Sequence, residues 1–394
     1  MENLSLYLLL LVAMGCGWGL ALFTGRNRRR LRHGRDIFDD YFVGLNYLLN
    51  DEPDEAIDTF IKALELNSET VETHLALGAL LRRRGKVDNA IKVHQALLAR
   101  PGLESNFTDA TRLQLAIDYI SAGLLDRAER LLNEILNEGS PMKWDALRHL
   151  IDIYQTEKEW ESAISCSNQL LANSAYKRDP EIRVAAANFC CELADQLLVR
   201  EQLNKAKEQA RRAFTFDRKS IRASLLLARI EQLLGNYKAA IKELIRIRKN
   251  YPEFTGAILE QLEICYARMD ASADFGKLLA DFFAQSPDSN VLLALARHKK
   301  KFTDSAEALS FLREHIQQTP SLPAIVETLG LQLPSTDTEI QVNFSLLQQA
   351  VKQLQQRKAA YQCHHCGYES KTLYWLCPSC QKWDKIRPLP ATRL

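Results

Sequence analysis

Glycine and proline are scarce in this sequence, and so is net charge. Its 394 residues include 16 glycines and 12 prolines, which disfavours a sheet with many turns and favours helices. The formal net charge is +2. A dedicated nucleic-acid-binding protein, which carries a clear basic excess, is therefore not expected. Any electrostatic interaction must be local.

A disulfide framework is also missing. The nine cysteines include two Cys-x-x-Cys pairs near the C-terminus, a spacing typical of a metal site. The others are scattered in apolar, helix-like surroundings. This fits a reducing compartment in which they serve as small core residues. The scattered cysteines are Cys16, Cys166, Cys190, Cys191 and Cys265.

One long apolar run is present near the N-terminus. Residues 4–23 contain no acidic or basic side chain, and a helix of that length spans about 30 Å, the thickness of a bilayer core. Arginines follow it at Arg26, Arg28, Arg29, Arg30, Arg32 and Arg35. The positive-inside rule predicts a single-pass anchor with its N-terminus outside, the rest of the chain in the cytoplasm, and the arginines at anionic lipid heads. A cleaved signal peptide, the alternative, needs positive charge before the apolar run.

Residues 37–330 repeat a short polar or glycine turn followed by an alanine that opens a helix. The alanines are Ala56, Ala90, Ala128, Ala163, Ala206, Ala240 and Ala306, with a degenerate copy near Ala273. Their intervals are 34, 38, 35, 43, 34 and 66 residues, the last close to two repeats. A 34-residue unit of two helices is typical of tetratricopeptide repeats, so the sequence predicts an all-α solenoid of seven to eight units.

Other positions agree with this repeat. Gly44 and Gly78 precede Ala56 and Ala90 by 12 residues, where a small residue lets two helices approach closely. Pro252 falls where a second helix should stop. Stacked units would leave a concave surface, lined by first helices, for a peptide or protein.

No catalytic constellation is evident, so the sequence predicts a protein without enzymatic activity. His74 and His94 lie 20 residues apart in neighbouring predicted helices. They are interpreted as packed or solvated histidines rather than as a site.

The C-terminal segment predicts a small rubredoxin-like module with one metal ion. Two Cys-x-x-Cys turns separated by ten residues can form a tetrahedral four-sulfur site that is structural, because no position stays open for a substrate. Zinc and iron both accept such ligands, and zinc is favoured. The ligands are Cys363, Cys366, Cys377 and Cys380, and the expected apolar shell is Tyr361, Tyr368, Tyr374, Trp375 and Trp383. His364 and His365 are weaker candidates as ligands.

These patterns divide the chain into five parts. A break around Pro334 precedes a last helix whose apolar stripe, Ile340, Phe344, Leu347, Val351 and Leu354, is expected to pack on the last repeat. The predicted parts are an anchor at 1–25, a basic segment at 26–36, repeats at 37–330, a linker and helix at 331–358, and the metal module at 359–394.

The order of anchor, repeats and Cys-x-x-Cys-Gly … Tyr-Trp-x-Cys-Pro-Ser-Cys tail resembles the lipopolysaccharide assembly protein B family of Gram-negative bacteria. The likeness is clearest at 41–49, 72–95 and 361–388. It implies an inner-membrane protein that works with the FtsH protease to promote degradation of the LpxC deacetylase. It also implies a metal module packed against the repeats, and restraint by an inner-membrane lipopolysaccharide regulator through the membrane segment.

Two other functions remain open from the residues. The repeats and anchor could instead form a scaffold that assembles lipopolysaccharide synthesis or transport enzymes without a proteolytic role. A rubredoxin-like iron would make the chain an electron-transfer protein. The oligomeric state is also open, with a homo-oligomer as one option.

Overall fold

The computed structural model describes most of the repeat region and the C-terminal module. The described residues are 43–44, 46–47, 55–56, 59, 71–318, 321–332, 342, 345–351, 353 and 359–389. Residues 4–23, predicted as a membrane anchor, and the arginines after them lie outside this set. Among the described residues, no helix is both long and apolar enough to cross a membrane.

The described part of the chain is mainly helical, as the repeats predict. Its longer helices are α1 (Val71–Arg83), α2 (Val87–Leu98), α3 (Ser105–Ser121), α4 (Leu125–Asn137), α5 (Lys143–Glu157), α6 (Trp160–Ala172), α7 (Pro180–Val199), α8 (Leu203–Phe216), α9 (Ile221–Leu233), α10 (Tyr237–Asn250), α11 (Thr255–Arg268), α12 (Ser272–Gln285), α13 (Ser289–Phe302), α14 (Ser305–Gln318) and α15 (Leu322–Gln332). A 3₁₀ turn, Pro252–Phe254, follows α10, which therefore ends where Pro252 predicts.

Most hairpin turns close with a residue in the left-handed region, and the turn between α13 and α14, with Thr303 at φ −117°, does not. Gly85, Gly123 and Gly235 have φ of 79°, 74° and 77°. The next amide bonds back into the helix, as in Lys86 N–H to Leu81 O at 2.9 Å, which is a Schellman end. The same turn position is filled in other hairpins by Lys158, Glu201 and Asp270, also with positive φ.

One buried residue near the start of each second helix sets the repeat register. It is the fourth residue of the helix and is fully buried at Ala90, Ala128, Ala163, Ala206 and Ala240. The predicted markers in the last two copies are wrong, because Ala273 and Ala306 are exposed. The equivalent buried residues are Phe275 and Ala308, which lie 35 and then 33 residues further on.

The chain divides into two compact units, 1–157 and 158–394. In the first, Leu77, Leu81, Ala90 and Val93 form a core that also includes Ala56, with Tyr47 packed against it. A side chain on Gly78 would overlap the ring of His94. The predicted close approach of α1 and α2 is confirmed at this glycine.

His74 and His94 are both fully buried, so packing rather than solvation describes them. His94 Nδ1 lies 2.5 Å from Asp118 Oδ2, and Arg82 donates to Asp118 Oδ1 at 2.6 Å. Asp118 is itself buried. This network joins α1, α2 and α3 and satisfies a carboxylate that burial would otherwise disfavour.

In the second unit, one apolar cluster runs from α9 to α13. It contains Ile258, Leu262, Phe275, Leu279 and other fully or nearly buried side chains. Two residues of the C-terminal module, Leu373 and Trp375, pack against it. The module therefore rests on the core of the repeats.

The helix expected before the module is partly described. Residues 345–351 are helical, and Gln348 Nε2 donates to Val326 O of α15 at 3.4 Å. Leu347 of the predicted stripe is 50% exposed, so this residue does not pack as expected. Ile340, Phe344 and Leu354 lie outside the described residues.

The module itself is a three-stranded antiparallel sheet. Its strands are β1 (Tyr361–Cys363), β2 (Glu369–Ser370) and β3 (Ile386–Pro388), in the order β2-β1-β3. Cys363 pairs with Ile386 across β1 and β3. The first cysteine pair therefore begins at the end of a strand.

Candidate metal centre and its contacts with the repeats

The two Cys-x-x-Cys turns have the same backbone geometry. Gly367 N–H donates to Cys363 O at 2.9 Å, and Gln381 N–H donates to Cys377 O at 2.9 Å. The residue after each pair has a positive φ, 79° at Gly367 and 53° at Gln381. Each turn therefore directs both of its sulfurs to one side, and the two turns face each other.

The four sulfurs lie within 4.8 Å of one another. Cys363 Sγ is 3.8 Å from Cys380 Sγ, and Cys366 Sγ is 3.7 Å from Cys377 Sγ. A tetrahedron with metal–sulfur bonds of about 2.3 Å has sulfur–sulfur edges of about 3.8 Å. A disulfide would need about 2.0 Å. The spacing fits four ligands of one metal ion.

The thiols differ in how readily they lose a proton. A hydrogen bond from the Tyr368 backbone amide lowers the pKa of Cys366 to about 6. Desolvation raises the pKa of Cys380 to about 12. A bound cation takes ligands as thiolates, so metal binding would release protons from this site.

The four cysteine thiolates are soft donors and fill all four positions of a tetrahedral site. Four cysteine sulfurs in a tetrahedral arrangement suit zinc or iron, and they leave no coordination position for a substrate. His364 and His365 are exposed and are not part of the four-sulfur cluster. The module can therefore hold a metal ion through its cysteines alone.

The aromatic residues around this site do not all form the shell expected from sequence. Tyr361 and Tyr368 pack against Cys363, Cys377 and Ile386 in the module's own core. Tyr374 is 43% exposed. Trp375 and Trp383 pack on the repeats instead, because a module of this size is too small to bury two indoles.

Trp383 is the first of these contacts. It is 7% exposed, and its ring meets the edge of Phe189 of α7 at a centroid distance of 5.9 Å. The Arg222 guanidinium of α9 lies 6.0 Å from the same ring. Arg222 is held by Glu192 and Asp195 at 2.9 and 2.8 Å. One indole thus contacts two repeat units.

Trp375 and Arg387 contact the next part of the array. Trp375 stacks on Phe254 with ring centroids 6.5 Å apart and an interplanar angle of 8°. The Arg387 guanidinium lies 5.3 Å from the Tyr251 ring and 5.5 Å from the Phe254 ring. These stacked and cation–π contacts place β3 against the turn after α10.

Charged groups complete the contact surface. Lys382 Nζ pairs with Glu181 Oε1 of α7 at 2.7 Å. Burial raises the pKa of Asp384 to about 6, while a hydrogen bond with Asn188 and the charges of Arg387 and Arg222 oppose that shift. Asp384 is therefore a module residue buried where the module contacts α7.

The sequence missed these contact residues. Phe189, Arg222 and Phe254 lie in helix patterns that read as ordinary repeat core. One signal was available: Trp375 and Trp383 together carry more apolar surface than a short metal-stabilised segment can cover.

The scattered cysteines behave as small core residues. Cys166, Cys190, Cys191 and Cys265 are buried. Burial raises the pKa of Cys190 to about 11 and that of Cys191 further. Both thiols are therefore protonated at neutral pH and poorly reactive. Cys16 lies outside the described residues.

Fold and site together define a tetratricopeptide repeat protein with a C-terminal rubredoxin-type metal module. Residues 361–388 match the family described as a rubredoxin metal binding domain, and residues 44–103 match a tetratricopeptide repeat family.

The relatives are similar along nearly the whole chain. Lipopolysaccharide assembly protein B of Escherichia coli (strain K12) is 31% identical over 385 residues, 98% of this chain and 97% of the relative. The Haemophilus influenzae protein of that name is 31% identical over 398 residues, 98% of each chain. The chain belongs to the lipopolysaccharide assembly protein B family.

A solved tetratricopeptide repeat protein from Parabacteroides merdae is also similar. It is 16% identical, the match covers 72% of this chain and 100% of that one, and the TM-score is 0.34.

Proposed function

We propose that the protein is an inner-membrane adaptor that regulates lipopolysaccharide synthesis by promoting degradation of the LpxC deacetylase by the FtsH protease. The observation that carries the proposal is the full-length similarity to relatives named lipopolysaccharide assembly protein B. The link to LpxC and FtsH comes from the resemblance to that family. The repeats provide a surface for protein partners, and no catalytic step is assigned to the chain.

An adaptor has to bring two proteins together. The proposed anchor, residues 1–25, and the basic segment, 26–36, would keep the cytoplasmic repeats at 37–330 beside the membrane. Confining protease and client to one membrane surface raises their effective concentration without any new contact. The same membrane segment is the proposed site at which an inner-membrane lipopolysaccharide regulator restrains the protein.

The metal module, 359–394, has a structural role in this proposal. Cys363, Cys366, Cys377 and Cys380 would hold one zinc ion, which when bound would supply folding energy on the order of 10–16 kcal/mol. Trp375, Trp383 and Arg387 then hold the folded module against the repeats through their aromatic and cation–π contacts. A red protein with a reversible one-electron couple would instead indicate iron and electron transfer.

The test is the lifetime of LpxC in living cells. Removing the protein should lengthen the LpxC half-life, and the full chain should restore it. A chain lacking residues 1–25 should restore it poorly, because the adaptor is then free of the membrane. An unchanged half-life after removal would refute the regulatory role.

A matched pair of cysteine variants separates the module from general stability. Cys377→Ser removes a proposed ligand and should fail to restore LpxC turnover. Cys166→Ala changes a buried cysteine of α6 outside the module and should restore it. If Cys377→Ser restores LpxC turnover as well as Cys166→Ala does, the metal site is dispensable.

The second candidate is a scaffold for lipopolysaccharide synthesis or transport enzymes. The succession of helical hairpins in the described residues favours it, because a long array can hold several partners at once. Purification from crosslinked membranes distinguishes the two. Recovery of pathway enzymes without the protease would favour the scaffold, and recovery of protease with LpxC would favour the adaptor. The same preparation reports any homo-oligomer.

A further inference from the structure

A small cleft lies where the metal module meets the repeats. Its volume is about 130 Å³, enough for a small ion with a few waters. The repeats contribute Lys219, from the turn between α8 and α9, and Tyr251, from the end of α10. The module contributes Trp383, Lys385 and Arg387. The cleft therefore exists only when the module is in place.

Basic groups reach this cleft from both sides. Lys219, Lys385 and Arg387 line it, and none of them forms an ion pair with another residue that the structure describes. Unpaired cations that converge on one cavity attract an anion. Two come from the module and one from the repeats, so an anion between them would connect the two parts.

Two carboxylates, Asp217 and Asp384, also line the cleft, against its three basic side chains. Asp217 Oδ1 accepts the backbone N–H of Lys219 at 3.0 Å. Burial raises the pKa of Asp384 to about 6, so this carboxylate is mostly ionised at neutral pH. The lining thus carries more positive than negative charge.

Arg387 supplies a directional donor. Its Nη1 atom is buried and has no hydrogen-bond acceptor among the described residues, although its guanidinium lies over Tyr251 and Phe254. A buried guanidinium N–H without an acceptor is unfavourable, and a phosphate oxygen suits it well. The two aromatic rings flank the guanidinium and limit its orientation.

We propose that this cleft binds one phosphate group, either inorganic phosphate or a phosphomonoester headgroup, between Lys219 of the repeats and Lys385 and Arg387 of the module. A phosphomonoester suits the site better than a carboxylate, because it carries up to two charges and several oxygens for donors arriving from different directions. Bound phosphate would stabilise the docked module by mass action. The inference does not depend on the proposed role in LpxC turnover.

The test uses the full chain in detergent micelles, titrated with inorganic phosphate and followed by calorimetry and by the melting temperature. Saturable binding and a rise in melting temperature are expected. Lys219→Gln and Lys385→Gln change exposed residues, and each should weaken binding about tenfold, as expected for one lost charge-assisted hydrogen bond. Lys238→Gln, at the exposed start of α10, removes the same charge outside the cleft and should bind like the wild type.

Vesicles distinguish the two sources of phosphate. Phosphatidylcholine vesicles containing phosphatidic acid present a phosphomonoester, whereas those containing phosphatidylglycerol present a phosphodiester. Saturation by the free ion identifies a soluble ligand. Binding that only phosphatidic acid supports, and that Lys219→Gln weakens, identifies a lipid headgroup. The proposal is overturned if neither source binds saturably, if phosphatidylglycerol binds equally well, or if Lys219→Gln matches the wild type.

Discussion

Replacing Asp384 by asparagine should stabilise the protein at neutral pH. Asp384 lies between the module and α7, and its Oδ1 atom has no hydrogen-bond donor among the described residues. Burial raises its pKa from 3.8 to about 6. The folded protein therefore prefers the protonated form more strongly than the unfolded chain does. Asparagine imitates that neutral form.

The magnitude follows from the shift. A pKa raised by about two units corresponds to about 3 kcal/mol between the two protonation states. Because the folded-state pKa is raised, burying the Asp384 carboxylate destabilises the folded protein only where the group is ionised. This destabilisation is absent below pH 3.8, grows between pH 3.8 and about 6, and is complete above that range. Asp384→Asn should raise the free energy of unfolding by about 3 kcal/mol at pH 7.5 and by about half of that at pH 5.

The assay is denaturant unfolding of metal-loaded wild type and variant between pH 5 and pH 7.5. Protonation of the cysteine ligands affects both proteins equally, so the difference between them isolates Asp384. Asp281→Asn, which removes an exposed carboxylate of α12, controls for net charge. A difference that does not change with pH, or a variant less stable at pH 7.5, would refute the reasoning.

Three further predictions concern the metal site and the repeats. Cys377→Ser should lose stoichiometric metal and the near-ultraviolet signal of the docked indoles; metal analysis and circular dichroism of the pure protein check both. Gly78→Ala should cost about 1–3 kcal/mol, because the new methyl group overlaps the His94 ring; denaturant unfolding measures it. Lys158→Gly should raise the free energy of unfolding by about 1 kcal/mol and Gly123→Ala should lower it by about as much, because both positions have positive φ. The melting temperatures of the two variants should therefore shift in opposite directions.

The repeat architecture was accessible from sequence because its turns carry a backbone signal. Gly85, Gly123 and Gly235 mark the left-handed turn position, and the buried alanine always follows five residues later. The register failed only in the last two copies, since the turns at Lys158 and Glu201 also lack glycine and are still followed by the buried alanine. Asp270 and Thr303 occupy the turn position there, and the exposed Ala273 and Ala306 lie two residues before the buried Phe275 and Ala308.

The spacing of the cysteines was enough to predict the four metal ligands. It was not enough to predict which residues of the repeats contact the module. Cys-x-x-Cys geometry is local, so a few residues determine it. The contact of Trp383 with Phe189 joins residues that are almost two hundred positions apart, and no periodicity in either segment indicates the other. The raised pKa of Asp384 comes from its burial in the folded protein and was equally inaccessible.

The position of the module also has a mechanical consequence. Repeat solenoids bend by small changes in angle between neighbouring hairpins. The module touches α7 through Glu181 and Phe189, α9 through Arg222, and the turn after α10 through Phe254. It therefore fixes the angle between two adjacent hairpins. Loss of the metal would return flexibility to the middle of the second unit rather than only releasing the end of the chain.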